Sequence, residues 1–140
     1  IGLAQIRKYE ELLKERKRVF TRYSKALKQY AWALTPPAET PTKESSYHVY
    51  ALRINGVTEQ QRDEIIQEIS KANVAVNVHF IPMPMLTLFR DLGYDINDYP
   101  QAYRNYAHEI SLPIYPQLTN EQADFVVQTV VEAYNKVMGK

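Results

Sequence analysis

Apolar residues recur at alternating steps of three and four from the start of the chain: Ile6, Tyr9, Leu13, Phe20, Tyr23, Leu27 and Tyr30. This spacing places them on one stripe and predicts a continuous helix over residues 1–32. Arg16 interrupts the stripe, and Glu10, Glu11, Lys14, Glu15, Lys17 and Arg18 supply a charged remainder. Such a helix either faces its own core with a solvated back or packs along a second domain or subunit, because a long stripe needs a long partner. Pro36 and Pro37 end it. Residues 35–46, rich in Thr, Pro, Glu and Ser, read as an exposed loop.

Beyond the loop the period changes to two. In "SSYHVYALRI", Tyr47, Val49, Ala51 and Arg53 alternate with His48, Tyr50, Leu52 and Ile54. Both faces are largely apolar, which predicts a central strand. Gly56 turns the chain. Thr58 and Gln61 have the spacing of a capping box ahead of Ile65, Ile66 and Ile69, which predicts a helix over residues 59–72 with Asn73 as a left-handed stop. Residues 74–81 are expected to form a second strand, with Val74, Val76, Val78 and Phe80 on one face and Asn77 and His79 on the other.

Residues 82–98 are irregular, with a helical turn expected at 86–91 and a chain turn at Gly93. Asp98 is a candidate cap for a helix that has Pro100 early and Tyr99, Tyr103, Tyr106 and Ala107 on its apolar side. "EISLPIYP" is a short extended segment that Pro113 confines to an edge or a strand end. Thr119 and Gln122 repeat the capping box before the stripe Ala123, Val126, Val127, Val130, Tyr134 and Val137. The order predicts an α/β (α+β) domain: a small, mostly antiparallel sheet of about three strands covered by helices and preceded by a long helix.

Composition narrows the functional classes. At 45% hydrophobic, the 140 residues can bury a real core. A net charge of +1 argues against a nucleic-acid surface. No apolar run approaches the roughly 20 residues that span a bilayer. With no cysteine, disulfides and thiolate metal sites are excluded, and a reducing compartment is compatible. No signal peptide is visible, and the chain opens inside a helical pattern, so it is expected to be a piece of a longer protein.

The residues by themselves show little chemistry. His48, His79 and His108 lack metal-ligand spacing. The four glycines are scattered and form no phosphate loop. None of the nine lysines sits in an apolar stretch that would lower its pKa for Schiff-base chemistry. His79, in "NVHFIPMP", stands out because Pro82 and Pro84 stiffen the chain just after it. On its own it reads as a hydrogen-bonded histidine at a strand end.

Several stretches together resemble a known family. "IGLAQIRKYEELLKERKRVFTRYSKAL" is similar to the helix that opens the C-terminal part of the DegT/StrS-type (DegT/DnrJ) sugar-nucleotide aminotransferases, through Gly2, Gln5, Ile6, Arg16 or Arg18, Tyr23 and Leu27. Ser46, His48 and Tyr50 resemble the family's S-x-H-x-Y strand. "ANVAVNVHFIPMP" resembles G-I-x-x-x-V-H-Y-x-P-L-H. "ISLPIYPQLTNEQ" is similar to L-S-L-P-L-Y-P-x-L-T-x-E and is the most specific match.

The resemblance implies a pyridoxal-phosphate enzyme with the aspartate-aminotransferase type of fold. Of that fold this chain would supply a connecting helix (residues 1–34) and the C-terminal small domain (residues 35–140). The large domain, with the cofactor and its lysine, would lie outside it. The parent would be a cytoplasmic homodimer in amino-sugar and polysaccharide biosynthesis, moving an amino group from a donor to a nucleotide-linked keto sugar. The fragment alone would be inactive, with no catalytic residue, cofactor or metal of its own. His79, Phe80 and Pro82 would face the substrate. The alternative is a stand-alone interaction or regulatory module that dimerises through its first helix. The sequence departs from the family pattern at Asn73 (usually Gly), Phe80 (usually Tyr), Pro84 (usually His) and Tyr103 (usually Glu).

Overall fold

The computed structural model describes residues 2–140 and divides the long amphipathic stripe. Helix α1 (Gly2–Ile6) and helix α2 (Tyr9–Leu27) are separated at Arg7 and Lys8, and α2 stops before Tyr30 and Trp32. Each departure from the expected continuous helix has a cause. Leu3, Ile6 and Tyr9 are exposed, so no tertiary contact holds the first turns in line, and short helices depend on such contacts. At the other end, Trp32 stacks on Tyr134 with ring centroids 4.1 Å apart, and Tyr30 stacks on Trp32 at 5.4 Å. That aromatic packing turns the chain back instead of extending the helix.

Strand β1 (Ala33–Leu34) follows at once. A small hairpin of β2 (Glu39–Thr40) and β3 (Lys43–Glu44) occupies the expected loop. The main sheet has the order β1-β4-β5, with β4 (Tyr50–Ile54) central and β5 (Glu109–Leu112) beside it, all antiparallel. Its size and the central strand agree with the sequence reading. The strand at 74–81 does not form. Only an isolated bridge joins Asn77 to Ser111, and Phe80 is 75% exposed. Two prolines, Pro82 and Pro84, follow just beyond this stretch and cannot donate to a ladder.

The β4–β5 register pairs Tyr50 with Leu112, Ala51 with Ser111, Leu52 with Ile110 and Arg53 with Glu109. One face of the sheet therefore carries Tyr50, Leu52, Ile54, Ile110 and Leu112; the other carries Ala51, Arg53, Glu109 and Ser111. Helices α2, α3 (Glu59–Lys71) and α6 (Asn120–Met138) cover the apolar face. Val19, Phe20, Tyr23, Leu27, Ile65, Ile69 and Val130 are essentially solvent-free there. Phe20, Tyr23 and Tyr50 meet edge to face at 4.8–5.1 Å. Burial pushes the Tyr50 phenol up to about 12 and the Tyr23 phenol higher still, so both stay neutral. Their hydroxyls find partners in Ser24 (3.1 Å) and the Pro113 carbonyl (2.8 Å).

Both capping boxes form: Thr58 and Gln61 at α3, Thr119 and Gln122 at α6. Asn73 adopts a positive φ of 58° just past α3, as expected of a stop. A short helix, α4 (Thr87–Asp91), forms at the expected turn. Asp98 caps nothing. It belongs to a 3-10 turn (Ile96–Asp98) capped by Asp95, and helix α5 (Pro100–His108) starts after Tyr99 with no side-chain cap.

Arg62, on α3, is 1% exposed. Its Nη1 donates to the carbonyls of Tyr106 (2.6 Å) and Glu109 (3.0 Å), its Nε donates to Asp63 (2.8 Å), and the guanidinium lies over the Tyr106 ring at 5.1 Å. One side chain thus ties α3 to the junction where α5 becomes β5. Substitution Arg62→Met keeps the apolar stem but removes the donors. It is expected to lower unfolding free energy by about 1.5–3 kcal/mol, the scale of a charge-assisted hydrogen bond lost from the interior. Urea denaturation of the two proteins checks this, and equal midpoints would show that the junction does not need the guanidinium.

Candidate functional site

The site is built on the face of the sheet away from α2, α3 and α6. Glu109 and Ser111 alternate with Ile110 and Leu112 along β5, so both polar side chains emerge on that face, yet each is almost fully buried. Ser111 Oγ donates to Glu109 Oε1. The other carboxylate oxygen, Oε2, accepts from the backbone N–H of His79 at 2.9 Å. The His79 ring completes the chain, with Nδ1 2.8 Å from Ser111 Oγ. The Asn77–Ser111 bridge adds two backbone hydrogen bonds, at 2.7 and 3.3 Å. The segment holding His79 is therefore fastened to β5 although it is not a strand.

His79 lies between two clefts. One, of about 440 Å³, is lined by His48, Val49, Asn77, His79, Ser111 and Ile114 among others. The other, of about 450 Å³, brings His79, Phe80 and Pro82 together with Arg53, Asn105 and Glu109. The three residues singled out in the sequence thus share one cleft wall. His79 is exposed, and its ring meets Phe80 edge on at 4.8 Å. Pro82 is half-buried and leads into a 3-10 turn (Met83–Met85) that contains Pro84. Arg53 is oriented across the cleft by Asn105, at 2.8 Å.

Glu109 and Ser111 were not expected as site residues. The signal was present, because the alternation in "EISL" puts one polar pair on one face. Its meaning appears only when Asn77 and His79 are seen to dock beside it.

A further cleft, of about 600 Å³, is lined by Ile96, Asn97, Tyr103, Arg104 and His108. Burial pushes the His108 pKa below its ordinary value. The guanidinium groups of Arg104, Arg62 and Arg53 act in the same direction, and a backbone hydrogen bond with Val57 opposes them.

The chain does not by itself fit pyridoxal phosphate. All nine lysines are exposed, so none has the desolvated surroundings that make a Schiff-base lysine. The four glycines form no phosphate-binding loop.

The DegT/DnrJ/EryC1/StrS aminotransferase family model matches residues 1–131. The chain belongs to this family. It is 29% identical over 136 residues to the spore coat polysaccharide biosynthesis protein SpsC of Bacillus subtilis, covering 93% of this chain and 34% of SpsC. It is 24% identical over 137 residues to a Campylobacter jejuni UDP-4-amino-4,6-dideoxy-N-acetyl-beta-L-altrosamine transaminase, covering 98% of this chain and 36% of that protein. Among solved structures, the apo-form of Spr1654 from Streptococcus pneumoniae, a candidate sugar aminotransferase, superposes with a TM-score of 0.94 at 37% identity. That match covers 99% of this chain and 34% of Spr1654. Spr1654 has also been solved in PLP- and PMP-forms. The chain spans about a third of the length of these relatives, and its α/β architecture with a small antiparallel sheet is that of aminotransferase-fold domains.

The lowered pKa of His108 has a consequence for stability. The folded protein binds fewer protons at this ring than the unfolded chain, so stability contributed above the unfolded value of 6.5 is lost as pH falls through the folded value. Between about pH 5 and about pH 8, the wild type is expected to lose stability on acidification more steeply than His108→Gln. Thermal midpoints of the two proteins across that range provide the check, and parallel curves would contradict it.

Proposed function

We propose that this chain is the C-terminal small domain, residues 35–140, with the connecting segment, residues 1–34, that holds α1 and α2, of a pyridoxal-phosphate-dependent sugar aminotransferase. The observation that carries this reading is the near-complete superposition on Spr1654. The parent transfers an amino group from an amino donor to a keto sugar attached to a nucleotide, in amino-sugar or polysaccharide biosynthesis. The names of SpsC and of the Campylobacter transaminase support that substrate class. Cofactor and Schiff-base lysine belong to a large domain outside this chain. The parent works as a homodimer in the cytoplasm.

The exposed row Leu3, Ile6 and Tyr9 supports burial of the first helix against the remainder of the parent or its dimer partner. A stand-alone module that dimerises through a continuous first helix finds no such support. The helix breaks at Arg7 and Lys8, and Val19, Phe20, Tyr23 and Leu27 are used by the chain's own core.

In this reading His79, Phe80 and Pro82 form the part of the substrate cleft that meets the sugar. His79 hydrogen-bonds a sugar hydroxyl, Phe80 offers an apolar surface where a tyrosine hydroxyl is usual, and Pro82 fixes the loop. The chain supplies no catalytic group of its own.

Two experiments test this. Incubated with pyridoxal phosphate and reduced with borohydride, the isolated chain is expected to yield no stoichiometric adduct at a single lysine; such an adduct would overturn the division of labour. In the complete enzyme, His79→Ala is expected to slow the keto-sugar half-reaction roughly threefold to tenfold, the worth of one hydrogen bond to a neutral hydroxyl, while leaving cofactor binding intact. Unchanged sugar kinetics would return His79 to a structural role.

A further inference from the structure

The hydrogen-bond chain behind His79 has a direction. An ionised Glu109 carboxylate only accepts, and it then takes the Ser111 hydroxyl proton on Oε1 and the His79 backbone N–H on Oε2. Ser111 has a single proton, already given to Glu109, so towards His79 its oxygen can only accept. The contact at 2.8 Å then requires the proton on His79 Nδ1. In a neutral imidazole this leaves Nε2 bare, and a bare nitrogen accepts hydrogen bonds but does not donate them. Nε2 has no hydrogen-bond partner among the described residues, and the exposed ring stands between two clefts.

We propose that Glu109 and Ser111 are positioning residues that hold His79 in its Nδ1–H tautomer, so that Nε2 accepts a hydrogen bond from a ligand hydroxyl. This rests on the sugar-cleft reading above and sharpens it. A bare Nε2 selects a donor, which a sugar hydroxyl is. It discriminates against a keto oxygen or a pyrophosphate oxygen, neither of which has a proton to give. The subsite at His79 therefore takes the hydroxyl-bearing part of the substrate, away from the carbonyl to be aminated and from the phosphates. Burial of both Glu109 and Ser111 supports the assignment, since a dry relay holds its polarity without competition from water.

The test reads the tautomer directly. Proton–nitrogen correlation spectra of protein labelled at the histidine nitrogens, taken where His79 is neutral, are expected to show Nδ1 protonated and Nε2 bare. The loss of one signal set in His79→Gln assigns it among the three histidines. Ser111→Ala removes the acceptor without adding bulk and is expected to move the ring towards the Nε2–H tautomer, and Ser111→Thr to restore Nδ1–H. A bare Nδ1 in the wild type, or a tautomer indifferent to Ser111→Ala, would overturn the proposal.

In the complete enzyme, Ser111→Ala is expected to raise KM for the keto sugar roughly threefold to tenfold with little change in kcat, the signature of binding lost equally in ground and transition states. A substrate analogue lacking the hydroxyl bound at His79 should be used equally well by wild type and variant. If the tautomer responds but sugar kinetics do not, the relay stands and it is the sugar-cleft reading that fails.

Discussion

A guanidinium with almost no exposure sits where three elements meet. Removing Arg62 from water is costly, and the arrangement holds because its donors are met by the carbonyls of Tyr106 and Glu109, by Asp63 and by the Tyr106 ring face. A helix end ordinarily leaves carbonyls in need of donors. Here α3 supplies one from across the core, so α5 can stop and β5 can begin within a single residue, His108 to Glu109. The backbone of Glu109 is thereby fixed, and its side chain in turn fixes Ser111 and the peptide of His79.

The sheet has two faces with different tasks. Tyr50, Leu52, Ile54, Ile110 and Leu112 join the helices in one continuous core. Ala51, Arg53, Glu109 and Ser111 face the opposite way and are covered by α5 and by the segment carrying Asn77 and His79. Because that segment is held through a single bridge and side-chain hydrogen bonds rather than a full ladder, it can present a ring to the clefts instead of tucking it into a pleat. The prolines at 82 and 84 then carry the chain away through a short 3-10 turn. Burial on one face supplies the rigidity that places a polar constellation on the other.

The surface beyond His79 remains rich in exposed apolar groups: Phe80, Met83, Leu88 and Leu92 are all more than half exposed. Together with Leu3 and Ile6 they form more apolar surface than a chain with this well-packed core needs to show. Exposed apolar surface of this extent marks places where a protein meets a partner, and the chain spans about a third of the length of the relatives it matches.

Local sequence determined the parts whose physics is local. Both capping boxes, the α3 and α6 stripes, the stop at Asn73 and the central strand were legible because propensity, periodicity and capping all act within a few residues. The family resemblance was legible for the same reason, in short ordered motifs such as "LPIYP". Tertiary packing decided the rest. Stacking of Trp32 on Tyr134 ended α2 early, and the absence of any core beneath Leu3 and Ile6 broke its start. The alternation of Val74, Val76 and Val78 predicted a strand, but with two prolines just beyond it and only Asn77 bonded to Ser111, no ladder formed. His79 could be singled out from its neighbours in sequence. Its partners Glu109 and Ser111 lie some thirty positions later, at separations of 30 and 32 residues, and only the folded sheet brings them together.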